Sequence, residues 1–281
     1  MSNHSPATRG WRYNEVTFKA SHNSYLRSER PVVTQLAHSS AQPHQGGCRG
    51  LELDLHLSGD LWEWSISHIG PYEGSTDRQF GAYLRLLDRW SARSPGHDVI
   101  TISLDLKGKP HDLRAFPYYL DEYIRTHMGE ERIFAPDALR GSHDSLVAGA
   151  MKNGWPSLDE LRGKFILCLS GNEKSKTRYA AGRGRLCFAD RKLSFDDVKK
   201  KKPDDKRGDR VFFNFDLDPI RPWKTQLERF FRRRGFVTRG YTLNDGVIWN
   251  KAIEWKVNLL ATDKVRNHSW ATVGPHPFKK L

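Results

Sequence analysis

The stretch Gly50–Leu57, GLELDLHL, indicates the fold most clearly because its side chains alternate strictly between two chemistries. Successive side chains of a strand point to opposite faces, so the leucines share one face and Glu52, Asp54 and His56 share the other. A single strand of this kind is typical of an antiparallel sheet with one face in water. A second strand with the same pattern argues against that interpretation.

The second strand is Asp98–Lys107, DVITISLDLK, in which Asp105 and Lys107 again follow a more neutral start on the polar face. In a parallel barrel the apolar face packs on helices and the other face points along the barrel axis. Charged side chains are tolerated on that inner face only near the open mouth, at the C-terminal ends of the strands. The two strands therefore predict a parallel barrel with a polar mouth.

Eight apolar stretches alternate with helical patterns along the chain, which is the count of a (β/α)8 barrel. The predicted strands are Val16–Ala20, Gly50–Leu57, Asp98–Leu106, Lys164–Ser170, Arg185–Ala189, Val211–Phe215, Phe236–Thr238 and Asn258–Thr262. The predicted helices are Thr76–Trp90, a short helix at Ser157–Gly163, Pro222–Arg234 and Val247–Lys256. With 281 residues and no internal repeat, we expect one α/β domain of the TIM-barrel type over residues 1–281, with an exposed charged loop at 196–210.

The chain is strongly basic, with a net charge of +13 and a pI of about 9.7. That charge implies an anionic partner, which is a nucleic acid, an anionic membrane or a phosphorylated substrate. The three cysteines form neither a disulfide framework nor a ligand cluster. No apolar run predicts a membrane span or a signal peptide. We expect a secreted or peripheral membrane-associated protein, and a cytoplasmic location or export without a signal peptide remains an alternative.

The acidic residues of the two polar strand faces predict a metal site. Glu52, Asp54 and Asp105 would repel one another at the barrel mouth unless a cation neutralised them. Their ligands are hard oxygens, which suit Ca²⁺ or Mg²⁺ better than zinc, and Asn23 can add a carbonyl oxygen.

Two histidines are candidates for acid–base catalysis. His22 ends an apolar strand in VTFKASHNSY, and His68 follows a tryptophan-rich stretch in SISHIG. Cleavage of a phosphodiester needs one group to accept a proton from the nucleophile and another to protonate the leaving alkoxide, and imidazoles do both near neutral pH.

Four motifs in order, SHNSY, GCRGLELDLHL, ISHIG and ISLDLKG, resemble the X-type catalytic region of phosphatidylinositol-specific phospholipases C. The likeness is greatest to the bacterial calcium-dependent branch. FILCLSGN, GFVTRGYTLND and NLLATDKV resemble later barrel strands of that family more weakly. The resemblance implies that the inositol 2-hydroxyl attacks phosphorus, releasing diacylglycerol and a cyclic inositol phosphate, with Ca²⁺ as cofactor and Mg²⁺ as the alternative.

The same resemblance implies roles for individual residues. His22 activates the attacking hydroxyl and His68 protonates the departing oxygen. The implied calcium ligands are Asn23, Glu52, Asp54 and Asp105, where Asp105 replaces a glutamate of many relatives. The implied substrate contacts are Lys107, Arg239 and Tyr241.

Two other interpretations remain open at this point. A glycerophosphodiester phosphodiesterase or a sphingomyelinase D-like enzyme would also use two histidines, a Glu-x-Asp pair and Mg²⁺, with an Asp-x-Lys strand. A non-enzymatic basic protein binding membrane or nucleic acid would explain the charge, but it would leave the clustered carboxylates unexplained. We expect a monomer that binds anionic phospholipid at a membrane surface and no nucleic acid.

Overall fold

The computed structural model describes residues 10–29, 31–57, 64–67, 79–200, 208–232 and 235–281. The strands within these residues are β1 (Val16–Ser21), β2 (Gly50–Leu57), β3 (Trp64–Ile66), β4 (Ile100–Lys107), β5 (Phe165–Gly171), β6 (Cys187–Lys192), β7 (Phe212–Asp216), β8 (Val237–Tyr241), β9 (Leu259–Thr262) and β10 (Phe278–Lys280). The α-helices are α1 (Val32–Leu36), α2 (Phe80–Arg93), α3 (Phe116–His127), α4 (Pro136–Arg140), α5 (Leu146–Lys152), α6 (Glu173–Ala180), α7 (Phe195–Lys200), α8 (Trp223–Arg232) and α9 (Gly246–Glu254). Two 3-10 helices lie at Tyr13–Glu15 and Glu130–Arg132.

Eight of these strands form a closed parallel barrel in the order β1-β2-β4-β5-β6-β7-β8-β9, and β9 pairs back with β1. β3 and β10 extend the sheet as antiparallel partners of β2 and β1. The barrel closes between β1 and β2 at the single register pair Ala20 and Gly50. A Cβ atom at Gly50 would lie 2.6 Å from the Cβ of Ala20, so this close approach requires glycine.

All eight predicted barrel strands are present, and the predicted TIM-type fold is confirmed. Their ends differ by a few residues, most at β6 and β8, which continue three residues beyond the predicted Ala189 and Thr238. The short strands β3 and β10 were not predicted, because three residues carry too little periodicity to be recognised.

The prediction of a helix at Ser157–Gly163 is wrong, because this segment forms turns. The expected capping bonds are present: the Ser157 N–H donates to Glu160 Oε2 at 2.7 Å, and the Glu160 N–H donates to Ser157 Oγ at 3.2 Å. Gly163, at φ +72°, then directs the chain into β5 before a regular helix develops.

The other predicted helices correspond to α2, α8 and α9, although residues 76–78, 233 and 234 lie outside the described residues. The predicted exposed loop at 196–210 is only partly a loop. Its first five residues belong to α7, residues 201–207 lie outside the described part, and Arg210 is buried. A charge run therefore did not exclude a helix, because Phe195 and Val198 supply an apolar face that packs on the core.

The barrel interior is aromatic at the N-terminal end of the strands and polar at the C-terminal end. Tyr13, Trp155, Phe188 and Phe212 fill the N-terminal end, with the rings of Tyr13 and Trp155 5.0 Å apart. The leucines of β2 point outward and are buried in a second cluster with residues of α2 and α3. Side chains that share the inner face of the strands therefore meet in a polar mouth, as expected.

Candidate active site

Three carboxylates lie together at the mouth because β2 and β4 are neighbours in parallel register. Asp54 pairs directly with Asp105, and Glu52 lies two residues earlier on the same face of β2. One oxygen from each of the three side chains lies within 4.8 Å of the others. The predicted cluster of Glu52, Asp54 and Asp105 is thus present, and Glu52 and Asp54 are buried.

Asp54 is the most deeply buried of these acids. Its burial, together with the negative charge of Glu52, raises the pKa of Asp54 to about 7. Its Oδ1 atom is buried without a hydrogen-bond partner, although its Oδ2 accepts from the Tyr25 hydroxyl at 2.9 Å. A buried carboxylate oxygen without a donor, beside two more carboxylates, fits a bound cation, and the all-oxygen donor set fits calcium.

Two basic side chains already contact this cluster. Lys107 Nζ lies 2.6 Å from Asp105 Oδ2 and 3.1 Å from Asp54 Oδ2. Although burial opposes the charge of Lys107, its bonds to Asp105 raise its pKa above the ordinary range. Arg239, on β8, donates through Nη2 to Glu52 Oε2 at 2.6 Å and through Nη1 to Asn214 Oδ1 at 3.1 Å.

His22 follows β1 and lies between the carboxylate cluster and Asp263. Its Nδ1 is 2.8 Å from Asp263 Oδ1, and its Nε2 is 3.7 Å from Glu52 Oε2. Burial alone would lower the pKa of His22, but the bond to Asp263 and the charge of Glu52 outweigh it, so the pKa is raised above 6.5. An ionised Asp263 can only accept, so Nδ1 carries the proton and Nε2 faces the cluster.

Asp263 is held in place by two amide side chains. Asn244 Nδ2 donates to Asp263 Oδ2 at 2.7 Å, and Asn23 Nδ2 donates to Oδ1 at 3.3 Å. Although Asp263 is partly buried, these bonds and the one from His22 lower its pKa below the ordinary value. The carboxylate is therefore ionised and fixes the orientation of the His22 ring.

Asn23 and Tyr241 complete the site, and both contact His22. Asn23, at φ +50°, presents its Oδ1 to the Tyr25 hydroxyl at 3.1 Å, and the same hydroxyl bonds to Asp54. The Tyr241 ring stacks on the His22 imidazole with their centroids 5.8 Å apart. The Lys192 ammonium lies 5.2 Å from the centroid of the Tyr241 ring.

The structure brings eight of the nine sequence-predicted site residues to this one mouth. These residues are His22, Asn23, Glu52, Asp54, Asp105, Lys107, Arg239 and Tyr241. His68 lies outside the described residues, but Ser67, just before it, donates its N–H to the Asp54 carbonyl at 3.3 Å. Ser67 therefore lies alongside the carboxylate strand β2.

Sequence reasoning missed Asp263, Lys192 and Asn214. A signal for Asp263 was available, because it follows the last strand in NLLATDKV and a closed barrel places the last strand beside the first. Lys192 and Asn214 lie on β6 and β7, whose short runs did not reveal which residues face inward.

Comparison with known proteins identifies the family and the fold. The sequence model of the family described as phosphoinositide phospholipase C, Ca²⁺-dependent, matches residues 66–208, just over half of the chain. A search of curated protein sequences gave no significant match.

Solved structures share the fold at low sequence identity. A calcium-dependent phosphoinositol-specific phospholipase C from Pseudomonas sp. superposes with a TM-score of 0.79 at 20% identity, covering 99% of this chain and 98% of that one. A Ca²⁺-dependent phosphatidylinositol-specific phospholipase C from Streptomyces antibioticus gives 0.69 at 20% identity over 90% and 95% of the two chains. A glycerophosphodiester phosphodiesterase from Parabacteroides distasonis gives 0.53 at 11% identity over 90% and 94%. Among the described residues, no helix has the length and apolar character needed to cross a bilayer.

Proposed function

This chain belongs to the calcium-dependent phosphoinositide phospholipase C family, and we propose that it cleaves phosphatidylinositol, or a related inositol phospholipid, to diacylglycerol and a cyclic inositol phosphate. The observation that carries this proposal is the position of His22 between Asp263 and the carboxylate cluster. That position provides a base whose free nitrogen points at the place where a phosphodiester and a cation would meet.

His22 acts as the general base in this reaction. Because Nδ1 donates to Asp263, Nε2 is free to accept the proton of the inositol 2-hydroxyl. The 2-oxygen then bonds to phosphorus, the bond from phosphorus to the diacylglycerol oxygen breaks, and that oxygen takes a proton from His68. The Tyr241 ring stacks on the His22 imidazole and helps to orient it, while Asp263 stabilises the imidazolium that forms.

Glu52, Asp54, Asp105 and the Asn23 carbonyl are the groups that would hold Ca²⁺. When bound, the ion supplies positive charge next to the phosphoryl oxygens, where negative charge develops. Lys107 and Arg239 already contact this cluster and add positive charge for the phosphate and the inositol ring. Tyr241 offers an aromatic face beside them.

Phosphorus NMR on phosphatidylinositol vesicles tests this function. We expect a cyclic phosphate signal that appears with Ca²⁺ and disappears with a chelator. His22→Ala should reduce the rate at least about 10²-fold, the lower end of the loss for a missing acid–base group. His127→Ala is the matched control, because His127 lies on α3 and contacts Tyr123 rather than the site. A glycerol or choline product, or activity that survives the chelator, would refute the proposal.

The anionic partner that we propose is the surface of the phospholipid membrane, and exposed apolar side chains around the mouth support this. Ile220, in the loop after β7, is 92% exposed, and Val247, near the start of α9, is also exposed. Lys251 Nζ donates to the Pro219 carbonyl at 2.7 Å, and Lys251 lies one helical turn after Val247. The two apolar side chains thus belong to one part of the rim.

This rim is ordered and basic. Asp218 Oδ1 accepts from the N–H groups of Ile220 and Arg221 at 3.0 and 2.9 Å, which fixes the loop that presents Ile220. Opposite it, in the loop after β4, Leu113 is followed by Arg114. Apolar side chains flanked by cations favour insertion among anionic headgroups.

Vesicles without inositol lipid test the rim separately from catalysis. Burying an isoleucine side chain contributes about 1.5–3 kcal/mol, so Ile220→Ser should weaken binding to phosphatidylglycerol vesicles at least about tenfold. Met151→Ser is the control, because Met151 is 52% exposed on α5, next to Ala150, which packs on Gly235 at the opposite end of the barrel. Equal loss in both variants, or binding that salt does not weaken, would refute the rim assignment.

A further inference from the structure

We propose that Lys107 is the counter-ion of the carboxylate cluster in the protein without metal. Its ammonium contacts the clustered acids until calcium displaces it, and this competition lowers the calcium affinity of the site. This inference rests on the calcium site of the proposed function. It assigns to Lys107 a role in the protein without metal, in addition to its expected contact with substrate.

The contacts of Lys107 place its charge inside the ligand set. Its Nζ bonds to oxygens of two of the three clustered acids, Asp105 at 2.6 Å and Asp54 at 3.1 Å. The third acid, Glu52, has its own partner in Arg239. Each clustered carboxylate is therefore matched with a cation, and without these cations burial and mutual repulsion would destabilise the fold.

The two cations differ in their freedom to leave. Arg239 is 7% exposed and is held by Asn214 and by the Tyr241 ring as well as by Glu52. Lys107 is the last residue of β4, and its side chain is 31% exposed. Gly108 follows at φ +84°, where a Cβ would meet no neighbour. Lys107 can therefore withdraw toward open space, whereas Arg239 cannot.

Calcium and the Lys107 ammonium compete for the same carboxylates. A cation placed among the three acids would lie against Asp54 and Asp105, and Lys107 already bonds to one oxygen of each. An ammonium and a divalent ion at one such position repel each other strongly. Calcium binding must therefore include the cost of breaking the two bonds of Lys107, and the affinity is lower than the acids alone would give.

Lys107→Met should consequently bind calcium more tightly than the unmodified protein. We expect the Kd, measured by titration calorimetry without lipid, to fall at least about tenfold, which corresponds to about 1.4 kcal/mol. Lys107→Arg keeps the charge and should bind within about threefold of the unmodified protein. In the absence of calcium, Lys107→Met should unfold at a lower temperature, and calcium should raise its Tm more than it raises that of the unmodified protein.

Lys192→Met is the matched control for charge acting at a distance. Lys192 also ends a barrel strand at the mouth, but its ammonium lies over the Tyr241 ring rather than between two clustered acids. Its loss should change the calcium Kd less than about threefold. If Lys107→Met and Lys192→Met tighten binding equally, the effect comes from net charge and the proposed occupancy is refuted.

The remaining outcomes separate this inference from the proposed function. An unchanged or weaker calcium affinity in Lys107→Met refutes the inference alone, provided the unmodified protein binds calcium and cleaves phosphatidylinositol. Competitive calcium binding without any lipid cleavage supports the inference and refutes the proposed function. A protein that binds no calcium in the calorimeter refutes both.

Discussion

Replacing Asp263 with asparagine tests whether this carboxylate controls the proton on His22. In the native site, Asp263 Oδ1 accepts from His22 Nδ1 and Oδ2 accepts from Asn244 Nδ2 at 2.7 Å. Both partners are donors, and an asparagine has only one oxygen to offer them. Its NH2 group must therefore face either Asn244, which breaks that bond, or His22, which forces Nδ1 to accept and moves the proton to Nε2.

The second arrangement would inactivate His22 as a base, because Nε2 is the nitrogen that faces the carboxylate cluster. A wrong tautomer of this kind lowers kcat by about 10⁴ in a serine protease triad, and loss of acid–base catalysis alone costs about 10²–10⁴. Since the introduced amide can also adopt the other orientation part of the time, we expect kcat to fall by about 10²–10³. The charge that raises the pKa of His22 is also lost, so this pKa should fall.

The assay is kcat/KM for a soluble inositol phosphodiester as a function of pH. A base must be neutral to act, so the acid limb of the native profile should lie above pH 6.5 and move to lower pH in Asp263→Asn. Asp216→Asn removes another carboxylate at the mouth, one that bonds to Thr242 instead of His22, and should leave the limb in place. A rate loss below about tenfold, or an acid limb that moves to higher pH, would refute this role for Asp263.

Three further predictions concern buried charges. Burial and the charge of Glu52 raise the pKa of Asp54 from 3.8 to about 7. Without calcium, the free energy of unfolding should therefore decrease as the pH rises through that interval. Urea unfolding at several pH values should show this decrease in the unmodified protein and not in Asp54→Asn. Arg239→Met should lower the free energy of unfolding by about 3–5 kcal/mol, since it leaves Glu52 buried without its partner, and calcium should restore part of that loss; a loss below about 1 kcal/mol would contradict the pairing. Lys176→Met should cost a similar amount in the same assay, but calcium should restore none of it, because its partner Asp190 is not one of the clustered acids.

The barrel and the acidic part of the site could be predicted from sequence because both depend on local alternation. In β2 and β4 the same two-residue period that identifies a strand also fixes which side chains share a face. In the observed parallel register of these two strands, Asp54 and Asp105 lie side by side. The alternation predicts which side chains share the inner face, whereas the register that pairs these two acids comes from the structure.

Contacts between distant parts of the chain were harder to predict. The bond between His22 and Asp263 joins residues 241 positions apart, and only barrel closure brings them together. Arg210 was expected in a solvated charge run, yet it is buried next to Glu173 and Thr177 of α6. Composition describes how polar a segment is, but it does not show whether another helix supplies partners for its charges.

The balance of charge at the mouth explains why a divalent ion suits this site. The three clustered acids outnumber the two cations that contact them, Lys107 and Arg239, so this cluster repels a phosphodiester when all five groups are ionised. One Ca²⁺ reverses that sign and leaves a single positive charge, which matches the single negative charge of a phosphodiester. Calcium should therefore bind before the lipid, and replacing Lys107 with a neutral residue should strengthen calcium binding while weakening the attraction for phosphate.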